Sequence, residues 1–239
     1  MRGGFFKATY LVAACAFLAS CGGGGGGGDS DGSSRLTLTP SSIQVTQVQG
    51  REEDIQVDGS ISPKPSGTQF FAVISADKPV VQTGPLFLVV NPDNSARVTM
   101  KTVRNLAVGT YDGQLTMRLC RDTECQDEVG LTGNVLPYSI KVIPAVQVQA
   151  TGAEPMLGAA PNVYWANNGD TVVLTSNIPV TWATGSSSGA ELEVISSTPT
   201  RWEGRILGTA MNSTGVLASS VEKPETNAVG GNFTIRHQF

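Results

Sequence analysis

The chain has 239 residues, with 16 Lys and Arg against 20 Asp and Glu and a formal net charge of −4. An acidic chain without a basic cluster is poorly suited to nucleic acid, and no such partner is expected. A single histidine, His237, leaves little from which to build a Ser-His or zinc site, so neither metal nor other cofactor is expected.

The N-terminus opens with Arg2 and Lys7 and no acid. Residues 10–19 are apolar apart from Tyr10, a stretch too short to cross a hydrocarbon core, which takes about 20 helical residues. Leu18, Ala19, Ser20 and Cys21 then follow. This tripartite start resembles a bacterial lipoprotein signal, with those four residues as the lipobox. The resemblance implies cleavage between Ser20 and Cys21, lipid on the Cys21 sulfur and attachment of the mature chain to a membrane through it. Gly22, where inner-membrane lipoproteins carry Asp, implies the outer membrane rather than the inner. An ordinary secretory signal cut elsewhere would instead leave Cys21 without a role. Several acyl chains anchor firmly, because each buried CH₂ contributes about 0.8 kcal/mol and one chain alone is marginal.

Cysteine usage agrees with export. The four cysteines are Cys15, Cys21, Cys120 and Cys125. Cys15 leaves with the signal and Cys21 takes lipid, so one pair remains to be oxidised outside the cytoplasm. Loss of residues 1–20 removes two basic residues and no acid, which takes the balance to 14 against 20 and the net charge to −6.

Residues 22–28 are seven consecutive glycines, and Asp29, Ser30, Asp31, Gly32, Ser33 and Ser34 follow. Such a run buries too little to offset its ordering entropy and reads as a flexible tether over 21–34, with an r.m.s. span of roughly 20 Å. It satisfies G-x-G-x-x-G only formally, since no strand precedes it and no helix follows. Asp29 to Gly32 lacks the later Glu of a calcium loop.

The remaining residues suit two domains, expected at 35–144 and 145–239. In the first, Leu36/Leu38, Ile43/Val45, Ile55/Val57, Phe71/Val73, Val98/Met100, Leu115/Met117/Leu119 and Tyr138/Ile140/Val142 alternate. Residues 86–90 form an apolar run that ends at Asn91-Pro92-Asp93-Asn94. Period-two patterns between turn signals, without a helical stripe, predict an all-β sandwich. Leu106, Gly109 and Tyr111 make an L-x-x-G-x-Y ahead of the most regular strand. It resembles the tyrosine corner of immunoglobulin-like and fibronectin-like sandwiches, which implies a buried ring and a hydroxyl bonded to backbone; an ordinary turn is the alternative. Cys120 and Cys125 are expected to form a structural disulfide across a hairpin, with Cys120 pointing away from the core. C-x₄-C lacks the partners of a zinc site and is not a C-x-x-C redox motif. The acids around it, Asp122, Glu124, Asp127 and Glu128, read as a solvated loop.

In the second domain, strands are expected around Val172 to Leu174, Val180 to Trp182, Leu192 to Ile195, Trp202 to Leu207 and Phe233 to Ile235. The strand, Ser-Asn turn and Pro-x-x-Trp within residues 171–195 loosely resemble BACON-type immunoglobulin-like domains, a family often attached to surface glycan-active proteins. Gly185-Ser186-Ser187-Ser188-Gly189 matches G-x-S-x-G, but its turn-like flanks and the absence of a nearby His favour a plain loop over a nucleophile elbow. Glu52-Glu53-Asp54 reads as a polar turn rather than a hydrolytic pair. Strand phase places Trp165, Trp182 and Trp202 toward the core and Tyr164 outward. The expectation is a non-enzymatic, membrane-anchored envelope or surface lipoprotein with a structural, adhesive or protein-binding role. A glycan-binding module is the alternative and an unrecognised hydrolase comes third. Exposed rings would favour the glycan reading, and convergent carboxylates the hydrolase.

Overall fold

The computed structural model describes residues 33–67, 69–186 and 189–236. Residues 18–21, the tether up to Gly32, Ser187, Ser188 and His237 therefore lie outside the described residues. The described residues form nineteen strands and no helix. The first ten are β1 (Ser34–Thr39), β2 (Ile43–Val48), β3 (Asp54–Ser62), β4 (Gln69–Ala76), β5 (Gly84–Val89), β6 (Ser95–Lys101), β7 (Gly109–Cys120), β8 (Glu128–Val129), β9 (Leu131–Thr132) and β10 (Val135–Ile143). They form one sheet in the order β6-β3-β1-β9 and a second in the order β2-β10-β7-β4-β5, with β8 beside β7. Pairing is antiparallel except for β1 with β9 and β2 with β10.

The other nine are β11 (Val148–Thr151), β12 (Glu154–Pro155), β13 (Val163–Ala166), β14 (Thr171–Ser176), β15 (Val180–Ser186), β16 (Ala190–Thr198), β17 (Arg201–Gly208), β18 (Ser213–Ser220) and β19 (Ala228–Ile235). Their sheets run β11-β14-β17-β16 and β12-β13-β19-β18-β15, with β13 parallel to β19. Each pair of sheets closes on its own apolar layer. Ile55, Val57 and Met100 meet Phe70, Leu115 and Ile140 in the first. Leu174, Trp202 and Ile206 meet Val216, Phe233 and Ile235 in the second.

The alternation expected along β1, β3, β6, β7 and β10 is the alternation observed. β4 differs. Phe70, Ala72 and Ile74 are buried, whereas Phe71 and Val73 lie half-buried on the outer face. The segment Phe70-Phe71-Ala72-Val73-Ile74 is apolar on both faces, so its sequence carries a period without a phase. β18 was missed because Thr214 and Ser220 occupy buried positions beside Val216 and Ala218. The fold also begins one residue earlier than expected. Ser34 is buried, its N–H bonds the Gly130 carbonyl at 2.9 Å, and its Oγ donates to the Pro63 carbonyl at 2.9 Å.

Two close approaches depend on glycine. The buried Tyr138 hydroxyl donates to Asp77 Oδ1 at 2.7 Å, over Gly113, where a Cβ would collide with both groups. This bond is the main cause of the lowered Asp77 pKa, while burial, then Asp77, pushes the Tyr138 phenol up. In the second sandwich the Trp202 ring covers Gly204, and any Cβ there would strike it. Trp202 has no room to retreat, being fully buried. Gly204→Ala is therefore expected to lower unfolding free energy by about 1–3 kcal/mol through overpacking. Denaturant unfolding followed by tryptophan fluorescence checks this, and an unchanged midpoint would contradict it.

Candidate functional site

Cys120 and Cys125 form a disulfide with Cα atoms 4.9 Å apart. Its setting departs from a simple hairpin. Glu128, not Cys125, lies opposite Cys120, and Cys125 sits in the turn with φ 56°. Cys120 takes the outer-face phase yet is fully buried, paired beside β8 and bonded to Cys125 of the 121–127 loop. The loop is also more organised than a solvated run of acids. Asp122 accepts the N–H groups of Glu124 (2.9 Å), Gln126 (3.0 Å) and Asp127 (2.7 Å). Those backbone donors, Asp127 first, hold its carboxyl below the ordinary value. Asp127 pairs with Arg121 at 3.1 Å and Glu128 with Arg118 at 2.9 Å.

Leu106 is buried in the first core, and Gly109 opens β7. The Tyr111 hydroxyl donates to the Ala107 carbonyl at 3.0 Å, spanning the connection from β6 in one sheet to β7 in the other. The ring is half-buried rather than fully buried, because it lies at the rim where β7 leaves the core.

Of the aromatic residues weighed as ligand platforms, Trp202 is core. Trp182 is half-buried, and its indole N–H donates to the Thr198 carbonyl at 2.8 Å. On β13 the expected faces are reversed. Tyr164 stacks on buried Phe233 with centroids 5.5 Å apart, and Trp165, half-buried, lines a recess with Glu154, Asp170 and Arg236. All four residues of β13 are apolar or aromatic, and the phase is set by the cross-strand partner Phe233. The acids Glu52, Glu53 and Asp54 do not converge. Each faces a different cation: Arg104 at 3.4 Å, Lys223, and Lys101 at 3.4 Å, respectively. Gly185 and Ser186 continue β15, so the G-x-S-x-G run starts inside a strand.

The residues that do converge lie at the seam between the sandwiches. Residues 144–147 join β10 to β11, and two asparagine side chains bracket them. Asn227 donates to the Pro144 carbonyl at 3.0 Å and accepts the Val146 N–H at 2.8 Å. On the alternate residues, Asn177 donates to the Ala145 carbonyl at 3.0 Å and accepts the Gln147 N–H at 2.7 Å. An amide side chain offers one donor and one acceptor side by side, so it can stand in for a neighbouring strand. Four successive residues of an extended linker thus gain backbone-like partners without joining a sheet.

The loop that carries Asn227 also reaches the first sandwich. Lys223 donates to the Thr46 carbonyl of β2 at 2.7 Å and pairs with Glu53, and its side chain is only 13% exposed. Lys141 and Glu222 make a second pair at 2.5 Å; at about half exposure it contributes little by itself. Beneath the seam, buried Gln47 donates to the Arg51 (2.6 Å) and Val103 (2.8 Å) carbonyls and fixes the turn before Glu53. Val146, Val180 and Ala218 form a small apolar cluster under the linker. None of Gln47, Asn177, Lys223 and Asn227 was singled out from sequence as a contact residue. Asn177 reads there only as part of a turn, and an Asn in a polar loop carries no sign of what lies opposite.

No family model matches the sequence, and no curated protein does. Solved structures do resemble it in architecture. A three-domain immunoglobulin fragment of titin aligns over 85% of this chain and 66% of its own length, at 11% identity and TM-score 0.37. Extracellular domains 3–5 of Drosophila OTK align over 85% and 62%, at 12% identity and TM-score 0.35. Fibronectin(III)-like modules of Clostridium thermocellum CbhA align over 85% and 98%, at 13% identity and TM-score 0.27. The strand pairing itself gives an all-β fold of two sheet pairs. This chain spans about two thirds of the titin fragment it aligns with.

Cys125→Ser is expected to cost about 1–3 kcal/mol, mostly through the entropy of the opened loop. The Asp122 bonds should survive in the wild type at neutral pH, because a depressed carboxylate stabilises the fold above its unfolded value. They should be lost only as pH falls below the ordinary 3.8. NMR titration of the Gln126 and Asp127 amides reads this directly, and a midpoint at or above that value would contradict the assignment.

Proposed function

We propose that this chain is a non-catalytic spacer of the bacterial envelope: a rigid pair of immunoglobulin-like sandwiches held to the outer membrane by lipid on Cys21. The bracketed linker carries the reading. A binding module on a loose hinge has no use for two asparagines that together take up one backbone group of each residue from 144 to 147. A spacer does, since its output is the distance and direction at which the far sandwich stands. The lipobox resemblance supports the anchor, and the glycine tether would decouple a stiff body from the bilayer. Glycan binding has less support, because the described tryptophan and tyrosine rings are all buried or half-buried.

Fractionation tests the anchor and proteolysis the stiffness. Cys21→Ser is expected to move the protein from the membrane pellet to the soluble fraction, and retention after a high-salt wash would contradict the anchor. The double variant Asn177→Ala, Asn227→Ala leaves four linker groups without partners, each worth about 0.5–1.5 kcal/mol when paired. It should be cleaved within residues 144–147 under native conditions that leave the wild type intact. Equal resistance would contradict the stiffness.

A further inference from the structure

Strands at the ends of sheets present unpaired N–H and C=O groups, and proteins normally blunt them with charge, proline, bulges, short length or cover. In this chain the other sheet ends carry such protection. β9 and β12 have two residues each, and β11 has four. β6 holds Arg97 and Lys101, paired with Asp58 and Asp54. β16 carries Glu191 and Glu193 and has a register irregularity between Val194 and Ser196. On β2 the Thr46 carbonyl is taken by Lys223. β15 is tied to the β16–β17 turn by the Val180 N–H on the Pro199 carbonyl and the Trp182 indole on the Thr198 carbonyl.

β5 carries only Pro85, near its start, whose missing N–H blunts one position of the edge. It pairs with β4 on one side, and among the described residues no strand lies on the other. Its sequence is Gly84-Pro85-Leu86-Phe87-Leu88-Val89, and no charged side chain occurs between Lys78 and Asp93. Phe87 is 61% exposed and Val89 49%. Phe87 is opposite Phe71 on β4, with the rings edge to face at 5.9 Å, and Val73 lies opposite Pro85. An apolar strip on the outer face thus runs up to an open edge.

We infer that β5 is a self-association edge, and that its occupant is the β5 strand of a second copy of this chain. A strand laid antiparallel against itself across a two-fold axis is self-complementary in side chains and in backbone bonds, here apart from Pro85, which has no N–H to donate. With the axis near Phe87, the two Phe71–Phe87 strips merge into one. The uncharged stretch from Pro79 to Pro92 also keeps like charges apart at the join in an otherwise acidic protein. Six residues of edge fall short of the roughly 1,200–2,000 Å² that a stable interface buries. The dimer is therefore weak, reversible and concentration-dependent.

Sedimentation velocity of the full chain at rising concentration, beside Phe87→Lys and Val221→Lys, tests this. Val221 is as exposed as Phe87 but lies in the β18–β19 loop. The wild type and Val221→Lys should shift toward dimer as concentration rises, and Phe87→Lys should stay monomeric with an unchanged melting temperature. Amide exchange at Phe87 or Val89 should slow in the wild type over the same range. A wild type monomeric throughout, a Phe87→Lys protein that dimerises equally, or dimerisation without slowed exchange along β5 would each overturn the inference. If Phe87→Lys unfolds, Val89→Lys and the exchange measurement decide the question in its place.

Discussion

Residues 144–147 pass from one sandwich to the other with no sheet to receive their backbone groups, and Asn177 and Asn227 supply what a sheet would have supplied. The two side chains act on alternate residues from the second sandwich. The linker is thereby docked to the domain that follows it. The loop carrying Asn227 continues to Lys223, whose ammonium bonds the β2 carbonyl of Thr46 and the Glu53 carboxylate in the first sandwich. With side chains only 13% and 24% exposed, this hydrogen-bonded ion pair costs more to separate than one on the open surface. Linker, loop and β2 form one connected set, and the orientation of the two bodies follows from it.

The same economy of polar groups runs through the rest of the described residues. Carboxylates that could have met in a cleft are each turned to a separate cation, as with Glu52, Glu53 and Asp54. Asp122 is absorbed in holding its own loop, and Asp77 in receiving the Tyr138 hydroxyl. Such groups keep strands and turns in place. The surface of the first sandwich that stays uncommitted is apolar and lies along β5.

Much of the fold was legible in the sequence wherever one face of a strand was apolar and the other was not. Ile55 and Val57, or Leu115, Met117 and Leu119, announce both period and phase. Legibility failed where that contrast disappeared. On β4 and β13 both faces are apolar, so the alternation of Phe71 and Val73 names no side, and Trp165 and Tyr164 face opposite to the phase read for them. On β18 small polar residues fill buried sites, and the strand was missed. The Cys120–Cys125 bridge could be reached by counting thiols, but the burial of Cys120 could not, because β8 is only two residues long. The seam was invisible, since Asn177, Lys223 and Asn227 are ordinary surface residues until the partner backbone is placed beside them.

The central claim is that the two sandwiches hold one orientation. Nitroxide labels on Thr99→Cys in β6 and Glu191→Cys in β16, both exposed strand positions, would report the distance distribution between them. With the Cys120–Cys125 bridge intact, a single narrow distribution is predicted. A broad distribution, of the width expected for two bodies joined by four freely rotating residues, would contradict the account.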